Sequence, residues 1–402
     1  MTLHVVSTFF PVPQDRGDPV RVLMTLQALA TRRPFELFVV RRKNTTAKHE
    51  RQLRELLPSV EVSVYDPAPY ALDWFGPLGR YPQAAVHRMP PWVRSRYSRD
   101  LHVDLKARTG VGLAIGEAAG AYFRGTRLRW HWDKANVLAA SARQDVSQAE
   151  SLAHRVRARY IAEVSERFER SAMALASSIS VTSQAESQRL HRHYGRVADF
   201  TLPSCVPLPR YSREPAGRHL VWLGSFDFRP NLLGLRAFLE HGWPPLRAAG
   251  FSLSLIGSGL TDGIRADLAG HAGVTVLGFV ADLTSVLAPA DAAVVPLWSG
   301  AGVKLKTLTL LAHGVPVFST PLGAEGVPPS PAVRLADTPE ELSGSILGTP
   351  AQLLTSLSPV ARQLVEAHFT DERFAANLFD GLERAGVLPA APAGSPHRDS
   401  AV

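Results

Sequence analysis

The chain has 402 residues, enough for two or three ordinary domains, and its 45% hydrophobic content supplies full cores. No apolar run approaches the roughly 20 residues that cross a bilayer, and the single Cys205 excludes an internal disulfide framework, fits a reducing compartment and makes the cytoplasm the default location. Formal net charge is +8, from 44 basic and 36 acidic residues, a weak bias toward anionic ligands.

The N-terminal stretch MTLHVVSTFFPVP has no basic segment before its apolar part and no small-residue cleavage site. It reads as a first buried strand over residues 3–10, not a signal peptide. Apolar residues at helical spacing follow over 20–30, then a strand over 35–42, a charged helix over 48–57 and an alternating strand over 60–66. Strand–helix alternation of this kind predicts βαβ units and a parallel sheet. Residues 67–100, rich in aromatics, prolines and arginines, interrupt the pattern. They read as a surface insertion with helical pieces. The alternative is a basic-aromatic face over 80–99 that meets an acceptor, an anionic membrane at the periphery, or, least expected, nucleic acid.

Strands resume over 111–117 and 127–133, a long charged helix is predicted over 146–176, and a strand follows over 177–183. Proline and glycine collect around 203–217, which reads as a linker. A second α/β unit begins with HLVWLGS at 219–225, continues through FSLSLIGS, VTVLGFV, AAVVPLW and VPVFST, and ends in a helix over 363–385. The predicted division is 1–205, a linker over 206–217, a second domain over 218–360, a closing helix over 361–386 and a disordered tail over 387–402.

Ligands in doubly wound sheets bind beyond the carboxyl ends of the strands. In the second half these ends carry Gly224-Ser225, Gly257-Ser258-Gly259, Gly278-Phe279-Val280 and SGAGVKLK over 299–306. Glycine lets backbone approach a ligand and leaves amides to donate. Arginine makes up 38 of the basic residues and lysine only six, so the pairing of Lys304 with Lys306 in one glycine loop is informative. GSGLTDG at 257–263 is one residue too long for a dinucleotide loop, and GAGVKLKT places its lysine wrongly for a Walker loop. No H-x-x-x-H, C-x-x-C, D-x-D or G-x-S-x-G occurs, so no metal site or hydrolase elbow is expected.

The runs LGSFDFRPNLLGLRAFLEHGWPPL, LIGSG and GFVADLTSVLAPADAAVVPLWSGAGVKLKTLTLLAHGVPVFSTPLGAEGV resemble the carboxyl-terminal domain of GT-B glycosyltransferases of family 4. PVPQDRGDPVRVLMTLQALA and the D-x-x-N-V step at Asp133–Val137 resemble the amino-terminal domain more loosely. The likeness covers nearly the whole chain; it is strong over 219–327 and weak over 67–110. It implies two facing Rossmann-like domains with a cleft between them. It also implies retaining transfer of a sugar from a nucleotide donor to the hydroxyl of a small-molecule, lipid or glycan acceptor. Neither a metal nor another cofactor is implied.

Carried over by position, the resemblance puts Gly17 and Arg21 beside donor phosphates or acceptor. Gly224 and Ser225 end the first strand of the second domain, Arg229 and Asn231 fall near the diphosphate, Phe279 and Val280 at the nucleobase, and the strand-end Gly257 is a further substrate-binding candidate. Gly300, Gly302, Lys304 and Lys306 match the loop facing sugar and diphosphate. Residues i and i+2 do not share a helix face, so one lysine, Lys306, is expected on phosphate. Glu325 matches a later turn, where helix capping explains it equally well. Asp133 and His131, at a strand end beside the expected acceptor side, are candidates to orient or activate the acceptor hydroxyl, with an exposed strand terminus as the alternative.

The sequence departs from the family at its two usual glutamates. Ala301 stands at the earlier position and Thr309 at the later, ribose-binding one. Losing that carboxylate costs roughly 1.5–3 kcal/mol of donor binding unless something compensates. Three readings follow: Thr309 and nearby backbone hold the donor differently, the donor lacks an ordinary ribose contact, or the protein is a catalytically degenerate GT-B-like interaction or scaffold protein.

Overall fold

The structure, a computed structural model, describes residues 2–14, 17–69, 88–147, 151–300 and 304–389. It is built on two parallel sheets. The first runs in the order β3-β2-β1-β4-β5-β6-β7. Its strands are β1 (Leu3–Ser7), β2 (Glu36–Val40), β3 (Glu61–Tyr65), β4 (Thr109–Ile115), β5 (Arg127–Lys134), β6 (Ala176–Val181) and β7 (Phe200–Thr201). The second runs β10-β9-β8-β11-β12-β13, from β8 (His219–Leu223), β9 (Ser252–Ile256), β10 (Val274–Gly278), β11 (Ala292–Val295), β12 (Val317–Ser319) and β13 (Val333–Leu335). Both sheets start from the doubly wound order, so each has a switch point between its first and fourth strands.

Period-two alternation explains how both faces are covered. Val5 of β1 and Leu113 of β4 join one core, while their neighbours Val6 and Ala114 join the core on the other face. In the second sheet Val221 and Ala293 face one side, and Trp222 and Val294 the other. The helices that position the site are α1 (Gly17–Ala30), α2 (Leu138–Ser147), α3 (Leu152–Met173), α4 (Gln184–Tyr194), α5 (Arg229–Ala237) and α6 (Leu305–Ala312). Two more, α7 (Ala351–His368) and α8 (Asp371–Arg384), end the fold.

The predicted helix over 146–176 is two helices. The second begins at Ser151, whose hydroxyl accepts from His154 N and so caps it. The predicted closing helix also divides, at Thr370, whose side chain accepts from Arg373 N. That break changes the architecture. Leu357, Ala361 and Val365 of α7 lie in the second sheet's core, whereas Phe374, Leu378, Phe379 and Leu382 of α8 lie in the first sheet's core. The chain thus returns to the N-terminal domain.

Within the interrupted region, the described residues include helices Pro91–Arg94 and Arg99–Lys106; residues 80–87 lie outside the description. Two arginines of the expected basic face turn inward. Arg94 donates to the carbonyls of Ala68 and Pro69, each at 3.3 Å, and Arg96 lies over the rings of Phe9 and Trp92 at 4.7 and 5.4 Å.

Candidate functional site

The C-terminal ends of both sheets meet at a cleft of about 730 Å³. On the second domain's side, the glycine-bearing strand ends are packed backbone to backbone. A side chain at Gly257, with φ of 155°, would place its Cβ 1.7 Å from Gly224 O. Gly224 N donates to Ile256 O at 3.0 Å and Gly257 N to Gly278 O at 2.8 Å. These two amides are therefore committed within the sheet, contrary to the expectation that they donate outward. The glycines serve close approach instead.

Asn231, on the first turn of α5, links the loop to the lysines. Its Nδ2 donates to Ser225 O at 3.0 Å, and its Oδ1 accepts from Lys306 Nζ at 2.7 Å. Ser225 Oγ donates to Asp227. Lys304 caps α6 and Lys306 lies on its first turn, at the positive end of the helix dipole. Gly300, with φ of 111°, lies close to Lys304: a Cβ there would sit 3.9 Å from Lys304 Nζ. Burial pushes Lys304 down from 10.5 to about 8, against the pull of Glu325 and Glu186. Burial pushes Lys306 down to about 7, and neighbouring Lys304 adds to the effect. Such a crowded cationic site at a helix N-terminus suits an anion.

The start of α1 faces the start of α6 across the cleft: the Cβ direction of Gly17 points to Leu305 Cδ1 at 3.6 Å. Arg229, Ser299 and Gly300 line the cleft on one side, and Asp18, Glu117 and Asn136 on the other. Asn136 belongs to the D-x-x-N-V step read from the sequence, whereas Asp18 and Glu117 were not singled out there. The signal for Glu117 was present as the first residue after a strand-end glycine, in IGEAAG. Burial pushes its carboxyl up to about 7, opposed by Lys134 and reinforced by Asp18.

Asp133 and His131 are placed differently from the expectation. Both are buried in β5 and neither lines the cleft. Asp133 receives Arg21 Nη2 at 2.7 Å, Arg21 Nε at 3.2 Å and Ser180 Oγ at 2.9 Å. Arg21 also donates to Ser204 Oγ at 3.0 Å, so it too is held inside the domain. His131 sits between Ser178 and Ser180, at 2.8 and 3.0 Å, and stacks on Phe200 with centroids 5.2 Å apart. Burial pushes its ring down to about 4, so it stays neutral at ordinary pH.

Glu325 is neither a helix cap nor an open group. Arg189 of α4 donates to its two oxygens at 2.7 and 2.5 Å and also to Glu186 at 2.6 Å, tying the two domains. Phe279 is 74% exposed, whereas Val280 packs on the second domain's core. Thr309 lies half-buried one turn beyond Lys306, and its carbonyl accepts His313 Nδ1 at 2.8 Å. Gly302 and Ala301 lie outside the described residues. Among the described residues no group of three or more His, Cys, Asp or Glu side chains is placed to hold a metal ion, and no helix is long and apolar enough to cross a membrane.

Comparison with known proteins agrees with this geometry. No curated protein sequence matches the chain significantly. Among solved structures, HepE from Anabaena, in complex with UDP-glucose, is 12% identical with a TM-score of 0.63, covering 95% of this chain and 99% of HepE. TarM is 8% identical with a TM-score of 0.67, covering 94% of this chain and 98% of TarM. WaaG, a glycosyltransferase involved in lipopolysaccharide biosynthesis, is 15% identical with a TM-score of 0.60, covering 96% and 100%. At such identities the likeness is one of fold. The chain therefore has two facing parallel-sheet α/β domains of the GT-B type, and its residues 217–348 match the family model of glycosyl transferases group 1.

Proposed function

We propose that the protein is a retaining glycosyltransferase that moves a sugar from a nucleotide-sugar donor to an acceptor hydroxyl without a metal. One observation carries the reading: Lys304 caps α6 and Lys306 lies on its first turn, opposite the start of α1, and Gly300 of the loop that leads to them lines an open cleft. The departing nucleoside diphosphate gains negative charge as the glycosidic bond breaks. Fixed cations and helix-end amides aimed there stabilise that charge, each charge-assisted bond contributing about 1.5–3 kcal/mol. The lysines take the charge-neutralising part that a metal plays elsewhere.

Lys306 is the phosphate ligand in this reading, positioned by Asn231, while Lys304 reinforces the field from the loop. Exposed Phe279 offers a face for the nucleobase, and Thr309 takes the ribose side in place of the usual glutamate. Asp133 and His131, with their hydrogen-bond capacity used inside the N-terminal domain, hold β5 and β6 rather than touch the acceptor. The binding of UDP-glucose by HepE, a protein of the same fold, supports the donor class.

Thr309 also favours a second reading, a GT-B-like interaction protein that no longer transfers sugar. The cleft is open, not filled by side chains, which favours the enzyme. Incubation with a panel of nucleotide sugars distinguishes the two. Slow release of nucleoside diphosphate from at least one donor is expected. No release from any, together with no thermal shift from any nucleoside diphosphate, would overturn the transferase reading.

A further inference from the structure

Glu117 follows β4 at the switch point of the N-terminal sheet, where β1 and β4 are neighbours, and Asn136 follows β5, the next strand. Gly116, with φ of 86°, turns the chain out of β4 so that Glu117 begins a short helix beside the start of α1. Glu117 is only 3% exposed, yet it lines the cleft together with Asn136. The backbone N–H of Asn136 donates to Glu117 Oε1 at 2.7 Å, and Glu117's own backbone N–H also hydrogen-bonds its carboxylate. Asn136 Oδ1 is buried with no hydrogen-bond partner among the described residues. Leaving a buried acceptor unmade costs about 1–3 kcal/mol, which a ligand's donor recovers. Two adjoining oxygen acceptors repel phosphate and suit hydroxyl groups.

We propose that Glu117 and Asn136 are the acceptor-binding pair of this enzyme, each accepting a hydrogen bond from one of two neighbouring hydroxyls of a sugar or polyol. This rests on the transferase reading. It places the nucleophilic hydroxyl on the N-terminal side of the cleft, opposite Ser299 and Gly300. Glu117 accepts most strongly from that hydroxyl when ionised. Lys134 of β5 and Asp18 of α1 are the charged groups acting on it, in opposite senses, and burial dominates both. Its carboxyl titrates at about 7, so polyol binding rises as pH passes upward through that value.

The test uses the full chain saturated with UDP, or with GDP or ADP where UDP gives no thermal shift. Glycerol, methyl α-D-glucopyranoside and methyl α-D-mannopyranoside are titrated in turn and followed by saturation-transfer NMR. At least one polyol is expected to bind. Glu117→Gln, which removes the charge, and Asn136→Leu, which keeps the size but removes the acceptor, should weaken it about fivefold or more while leaving nucleotide affinity within about twofold. Wild-type affinity should rise between about pH 6 and pH 8, and the Glu117→Gln profile should be flat. Absence of polyol binding, equal binding in wild type and variants, or a parallel loss of UDP-glucose affinity would overturn the assignment. Failure of every nucleoside diphosphate to bind wild type would instead remove the transferase reading, and this assignment with it.

Discussion

Lys306 and Asp133, both read from the sequence as site residues, lie in different settings in the structure. Lys306 was legible because lysine is scarce in this chain and a glycine loop brings it to a helix start. Its titration adds a sign. A lysine held at about 7 when folded, against 10.5 otherwise, binds fewer protons than in the unfolded chain across that window. Stability therefore rises with pH from about 7 to 10, because ionisation at lower pH forces a charge into crowded surroundings. An anionic ligand reverses this by favouring the charged form. Asp133 also looked functional, as an acid at a strand end. Sequence periodicity does not give its depth in the sheet, nor that Ser180 lies beside it in register on β6. Its oxygens are taken up by buried Arg21 and by Ser180. Asp133→Asn should destabilise the N-terminal domain by about 3–5 kcal/mol, since it leaves the guanidinium uncompensated. Urea unfolding measures this. Unchanged stability with lost turnover would return Asp133 to the chemistry.

The strands and their glycine ends account for most of what was legible among the elements. The strands other than β7, β12 and β13 are four to eight residues long and carry enough β-branched and apolar side chains to be read directly. The edge strands β7 and β13, of two and three residues, are too short to show a period. The two helix breaks were missed because charge continues across them, although Ser151 and Thr370 are cap residues. The glycines were read as making amides available, and the structure gives them another use. At Gly257 the backbone of β9 meets that of β8 so closely that no Cβ fits. Gly257→Ala should therefore destabilise the C-terminal domain by at least about 1–3 kcal/mol and weaken nucleotide binding with it. Differential scanning calorimetry checks this; an unchanged melting temperature would show that the two strand ends can move apart freely.

At the scale of the whole molecule, the two-sheet plan could be read from the repeated strand–helix alternation, but the arrangement across the cleft could not. Helix α8 returns to the first core, with Gly381 packed so tightly that a Cβ would lie 2.3 Å from the Phe200 ring. Arg189 and Glu325 tie the domains by a buried-edge ion pair, a contact between residues 136 positions apart. Together these bring the start of α1 to the start of α6, and Glu117 and Asn136 to the wall opposite Gly300. The central claim is that this cleft holds an activated sugar by its diphosphate, through Lys306. The most direct measurement is isothermal titration calorimetry of the wild-type chain and Lys306→Ala with nucleoside diphosphates at about pH 8, repeated in buffers of different ionisation enthalpy. Saturable binding by the wild type with uptake of about one proton, lost in Lys306→Ala, is the predicted result. Equal binding by the two proteins, or binding of no nucleoside diphosphate by the wild type, would contradict it.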